Sequence, residues 1–130
     1  MKLAELNQIS QRVLDAAIEV HRNLGPGLLE SVYEKCLSKE LLFRNIENEV
    51  QVHIPLFYKN VPLDASFRID MIVEKELLIE MKAVEQVLPV HRAQLLSYLR
   101  LTDKRLGILI NFNVPKLVDG WERIINGYDE

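Results

Sequence analysis

Three ionisable residues, Asp70, Glu80 and Lys82, stand where strands built only for packing would not carry charge. The stretches Phe67-Arg68-Ile69-Asp70-Met71-Ile72-Val73 and Leu77-Leu78-Ile79-Glu80-Met81-Lys82-Ala83 read as two apolar strands joined by the charged turn Glu74-Lys75-Glu76. Alternate side chains of a strand point to opposite faces. One face is then Phe67, Ile69, Met71 and Val73 with Leu77, Ile79, Met81 and Ala83. The other holds Arg68, Asp70 and Ile72 with Leu78, Glu80 and Lys82. A three-residue hairpin loop centred on Lys75 sets Val73 opposite Leu77, Asp70 opposite Glu80, and Arg68 opposite Lys82. A one-residue slip would destroy the apolar match. Carboxylates about 5 Å apart repel by roughly 3 kcal/mol at an effective dielectric near 20, and sheets built for stability avoid opposed like charges. Two readings follow. In one, the charges form a solvated checkerboard, Asp70 reaching diagonally to Lys82 and Arg68 to Glu80. In the other, a divalent cation sits between Asp70 and Glu80, as hard cations such as Mg²⁺ take one or two carboxylates and keep several waters.

The elements that must position these groups are legible along the chain. From about Ala4 to Leu24, the residues Leu6, Ile9, Val13, Ala16, Ala17, Val20 and Leu24 recur at helical spacing. Gly25-Pro26-Gly27 ends that helix. A second helix is expected from about Leu28 to Phe43, burying Leu29, Val32, Tyr33, Cys36, Leu37 and Leu41, with Glu30 favoured at its start by the helix dipole. Val50 to Tyr58 reads as a strand near an edge or bulged, because Pro55 cannot donate to a ladder. Lys59-Asn60 is a turn. A third helix runs from Pro89 to Leu101 with the stripe Leu95, Leu96 and Leu99, and Gln94 and Tyr98 share a face beside it. The continuous apolar run Leu106 to Phe112 fits a strand covered on both faces. It follows a strand and a helix, which suggests a parallel pair with a right-handed crossover. Trp121 to Ile125 adds a short last strand. The expected fold is α/β: two helices, a three-strand meander, a helix and one or two more strands, a mixed β-sheet flanked by helices.

With 130 residues, 48% of them hydrophobic and 27% charged, the chain is expected to be one globular domain with a sizeable core. Its formal charge of -3 supplies no global basic field, which argues mildly against avid non-specific DNA binding. Cys36, the sole cysteine, reads as a core thiol. No apolar run suits a signal core or a membrane span, so a cytoplasmic protein is expected.

Asp70, about ten residues before Glu80-Met81-Lys82, resembles the metal site of the PD-(D/E)XK nucleases, although Ile69 stands where the motif name has proline. The expected element order matches that restriction-endonuclease-like core. Gly27-Leu28-Leu29-Glu30-Ser31-Val32-Tyr33 is a full G-x-x-E-x-x-Y and resembles the signature of the GxxExxY family of small prokaryotic proteins. Gln94-Leu95-Leu96-Ser97-Tyr98 resembles the Q-x-x-x-Y motif of nuclease domains in recombination helicase-nucleases. Together these cover about Ile9 to Ile125.

The resemblance implies a Mg²⁺- or Mn²⁺-dependent nuclease acting on nucleic acid, DNA ahead of RNA. Asp70, Glu80, the main-chain carbonyl of Met81 and Glu30 would hold the metal, and Lys82 would orient water and offset developing charge. Gln94 and Tyr98 would contact phosphate or water, with Arg68 as the nearest further cation. Each residue also has a plainer explanation. Glu30 is a favourable helix-start carboxylate, and Tyr33 shares a core stripe, which favours packing with a hydroxyl tip. Gln94 and Tyr98 suit a half-exposed helix face. His21, His53 and His91 show no zinc spacing. A rival class is a catalytically weak or inactive binding or regulatory module on the same fold, and a third is a purely structural protein. The first two permit a homodimer.

Overall fold

The computed structural model describes residues 1–127. It contains α1 (Leu3–Leu24), α2 (Glu30–Phe43), β1 (Asn48–Tyr58), β2 (Val61–Val73), β3 (Leu77–Lys82), α3 (Pro89–Thr102), β4 (Leu106–Asn111) and β5 (Trp121–Ile125), the last preceded by a 3₁₀ turn at Leu117–Gly120. The strands form a single mixed sheet in the order β1-β2-β3-β4-β5. Only the β3–β4 pair is parallel, Leu77 to Lys82 matching Leu106 to Asn111 across the α3 crossover. The other pairs are antiparallel.

Two apolar layers cover the sheet. Leu6, Val13 and Val20 of α1 and Tyr33, Leu37 and Leu41 of α2 pack on Met71, Val73, Leu77, Ile79, Met81 and Ile110. On the opposite face Leu95 and Leu99 of α3 close over Ile69, Leu78 and Leu109. Covering on both faces explains why β4 is buried from end to end. The Gly25-Pro26-Gly27 corner is shaped by left-handed glycines, with φ of +69° at Gly25 and +98° at Gly27. Tyr33 fastens it: its hydroxyl donates to the Gly25 carbonyl at 2.6 Å and accepts the Leu28 N–H at 3.2 Å, while its ring stacks on Phe112 at 4.4 Å.

Three expectations need correction. The second helix starts at Glu30, two residues late, because Leu29 is the extended residue before it. Leu29 is consequently 74% exposed instead of buried, and Val32 lies on the open side. The second strand of the meander is much longer than Phe67 to Val73, since Val61 to Ser66 pair with β1 as a projecting arm. The register slips between Pro55 and Phe57 of the edge strand, as proline demands. Most consequential is the apolar face of β2, which is not continuous. Phe67 and Ile69 pack toward α3, whereas Met71 and Val73 pack toward α1 and α2.

Candidate active site

The break between Ile69 and Met71 falls on Asp70. Near the turn the β2–β3 ladder runs in the expected register, Val73 opposite Leu77, Ile72 opposite Leu78 and Met71 opposite Ile79. There it stops. Asp70 and Glu80 make no ladder rung, nor do Arg68 and Lys82. Side chains take over where the strands part. The Met81 N–H donates to Asp70 Oδ2 at 2.9 Å, and the Asp70 N–H donates to Glu80 Oε1 at 3.2 Å. These bonds satisfy main-chain donors that the open ladder would leave bare. The diagonal pairs Asp70–Lys82 and Arg68–Glu80 are not among the ion pairs of the described residues.

The two acids approach the opening from different sides. Asp70 lines a cavity of about 600 Å³ with Glu30, Glu34, Gln51, Arg68 and Met81. Glu80 follows Leu78, which packs against α3, and is only 5% exposed. Burial pushes the Glu80 carboxyl up to about 8; the charge of Asp70 and a hydrogen bond to its carboxyl add to this, and Lys82 only partly opposes it. Asp70 and Glu80 are thus brought together, with the Lys82 ammonium close enough to be felt. Tyr98 stacks on Phe67 at 4.8 Å, and burial, then the charges of Glu80 and Asp70, hold its hydroxyl above the ordinary tyrosine range. Gln94 hydrogen-bonds Tyr98 and is itself exposed.

Glu30 is at the first position of α2, on the cavity wall, where its Oε1 accepts the Ala83 N–H at 3.3 Å just past β3. It is not gathered with the acid pair. Among the described residues no group of three or more His, Cys, Asp or Glu is placed to hold a metal. The donor set still fits a hard cation: two apposed carboxyl groups, that of Glu80 made less acidic by burial, and the main chain of Met81 beside them. Mg²⁺ needs no more carboxylate than that.

Besides Gln51, two residues at or beside the site were absent from the sequence reading. Glu34 lies one helical turn after Glu30 and faces the same cavity, so its i,i+4 spacing was an available signal. Burial, and then Asp70, raise its carboxyl, against a hydrogen bond from Gln51. Asn111 is the other. Buried opposite Lys82, it accepts the Val84 N–H at 3.1 Å and donates to the Val84 carbonyl at 2.9 Å, fixing the chain as it leaves β3. An amide inside an apolar run was its signal. The histidines are structural where their bonds are seen: His21 Nε2 bridges the Phe112 and Val114 carbonyls, and His91 Nδ1 accepts the Leu88 N–H.

A family model for the PD-(D/E)XK nuclease superfamily matches residues 7–124. No curated protein matches the chain. One solved structure, the crystal structure of SSO0001, is similar with a TM-score of 0.46 and 19% identity, over 93% of this chain and 79% of that one.

Proposed function

This chain belongs to the PD-(D/E)XK nuclease superfamily, and on that premise we propose that it is a divalent-metal-dependent phosphodiesterase of nucleic acid, DNA ahead of RNA. The observation that carries the reading is the Asp70–Glu80 pair. A carboxyl pushed up to about 8 by burial, with the charge of Asp70 adding to it, is an unfavourable arrangement for stability alone and a favourable one for capturing a dication. Nucleases of this superfamily generally use divalent metals. Here Asp70, Glu80 and the Met81 carbonyl would hold Mg²⁺ or Mn²⁺, with Glu30, bonded to the Ala83 N–H on the cavity wall, joining through water. When bound, the ion supplies Lewis-acid polarisation of the scissile phosphate and neutralises its developing charge.

The rest falls to the chain's own residues. Lys82 orients the attacking water and stabilises negative charge as it grows. Arg68, exposed at the cavity, pairs with a substrate phosphate. Gln94 and the Tyr98 hydroxyl donate to phosphate or water from the α3 side. The G-x-x-E-x-x-Y signature supports reading the chain as one of the GxxExxY proteins, and we read it as one catalytic domain. Among the described residues no helix is long and apolar enough to cross a membrane; the location we propose is cytoplasmic. A homodimer would widen the binding groove that a chain of net charge -3 needs.

The test is a panel of single- and double-stranded DNA and RNA substrates with Mg²⁺ or Mn²⁺, run with wild type, Asp70→Asn and Lys82→Ala, alongside calorimetric Mn²⁺ titration of wild type and Glu80→Gln. Cleavage lost in both variants, with Mn²⁺ heat lost in Glu80→Gln, is the expected result. A wild type that takes up Mn²⁺ but cuts nothing would leave a binding module.

A further inference from the structure

Gln51 stands in the middle of β1 with φ of +52°. That is left-handed backbone, which glycine, asparagine and aspartate adopt far more readily than glutamine. Its place in the register is opposite Asp70. Val50 pairs with Met71 and Val52 with Ile69, and the rung between them is missing. On the other edge, β2–β3 pairing ends at Met71–Ile79. Asp70 therefore has no ladder partner on either side.

Both strands change face at this rung. Asn48 and Gln51 are three residues apart, yet both reach α2, through Ser38 and Glu34. Ile69 packs with α3, while Met71 packs with α1 and α2. A regular strand would put Ile69 and Met71 on one face and Asp70 on the other. The roll instead turns Asp70 into the gap where it meets the Met81 N–H and Glu80.

We propose that Gln51 is a positioning residue for the acid pair: its left-handed turn, held by Glu34, opens the sheet beside Asp70 and sets that carboxylate across from Glu80. Backbone in sparsely populated regions persists only where the surroundings over-determine it, and it clusters at sites that use the strain. The surroundings here are specific. The Gln51 side-chain amide donates to Glu34, and its Oε1 is buried with no partner among the described residues. An unsatisfied buried oxygen and a strained backbone are two separate costs at one residue. Packing of an edge strand accounts for neither.

The inference rests on the metal-dependent reading in only one of its two readouts. The first is amide hydrogen exchange on metal-free protein. Gln51→Gly keeps left-handed backbone at little cost, whereas Gln51→Val resists it and restores a regular strand. In Gln51→Val the amides of Asp70 and Met81 are expected to exchange roughly tenfold faster, with those of Ile79 and Ile108 unchanged, and Gln51→Gly should stay close to wild type. Glu34→Ala, which releases the clamp, should speed the same two amides, and it serves if the valine variant does not fold. The second readout is Mn²⁺ affinity, expected to drop roughly tenfold in Gln51→Val and to hold in Gln51→Gly. Unchanged Asp70 and Met81 protection in both Gln51→Val and Glu34→Ala overturns the proposal, as does equal loss in the glycine and valine variants. If wild type takes up no Mn²⁺, the phosphodiesterase reading fails, while the amide comparison still decides the role of Gln51.

Discussion

The β2–β3 hairpin is built on opposite plans at its two ends. Near the turn, Met71, Val73, Leu77 and Ile79 are fully buried, paired rung for rung, and pressed under α1 and α2. Glu74 and Lys75 make this possible with φ of +51° and +63°, a twist that suits a tight hairpin, and the Glu76 N–H closes the turn onto the Val73 carbonyl at 3.0 Å. A few residues further on, the strands separate and carboxylates stand in for main-chain partners. The contrast teaches that one hairpin can divide its labour, with the dry end holding the register that the wet end needs. Opening the ladder next to a well-anchored segment fixes the two acids while the closed end keeps the register.

Substitutions at the open end should therefore cost chemistry and spare the fold. Asp70→Asn and Lys82→Ala are expected to reduce cleavage about a thousandfold or more, equivalent to roughly 4 kcal/mol of barrier. Thermal unfolding without metal should move little, and Asp70→Asn could even raise the midpoint, since asparagine still accepts the Met81 N–H and removes a repulsive charge. A large loss of stability in Asp70→Asn would erase the distinction between the ends. At the closed end the balance reverses. Ile79→Ala should lose about 3 kcal/mol in urea unfolding through the cavity it leaves, while whatever protein stays folded keeps its metal affinity.

Titration sharpens the comparison further. Glu80 holds its proton to about 8 in the folded chain, against 4.5 for the free side chain. Between those values the native state binds more protons than the unfolded one, so stability falls as pH rises. The contribution is fully present below about pH 4.5 and is lost as pH rises through about 8. Glu80→Gln should flatten that slope in melts taken across the range, and millimolar Mn²⁺ should reverse its sign in wild type. The smallest effect is expected at the corner that carries Glu30. Tyr33→Phe removes the bonds to Gly25 and Leu28 and should cost about 1 kcal/mol. Activity should fall only a few-fold, because Glu30 keeps its anchor on the Ala83 N–H.

Much of this was legible in the residues. The stripe from Leu6 to Val20 specified α1, and the match of Val73 to Leu77 specified the hairpin register. Charge in the middle of apolar strands singled out Asp70 and Glu80. The roll of the β1–β2 ribbon left no such trace. Both faces of the sheet are covered, so Ile69 and Met71 look alike although they pack on different sides. Gln51 takes left-handed backbone without being glycine or asparagine, and composition gives no warning of that. Val61 to Ser66 was hidden for a related reason: Asp64, Ala65 and Ser66 are poor strand formers, and pairing with β1 overrides their preference. Glu34 was missed because a carboxylate on a helix is ordinarily solvated.

The bond between the Tyr33 hydroxyl and the Gly25 carbonyl bears on how relatives of this chain ought to be sorted. Two of the three named letters in the G-x-x-E-x-x-Y signature, glycine and tyrosine, serve the bend between α1 and α2; only the glutamate looks onto the cavity. Chains of this fold without nuclease activity would still need that bend to fold. A catalogue compiled on the signature would therefore mix working enzymes with silent ones, and the acid pair is the better criterion for telling them apart.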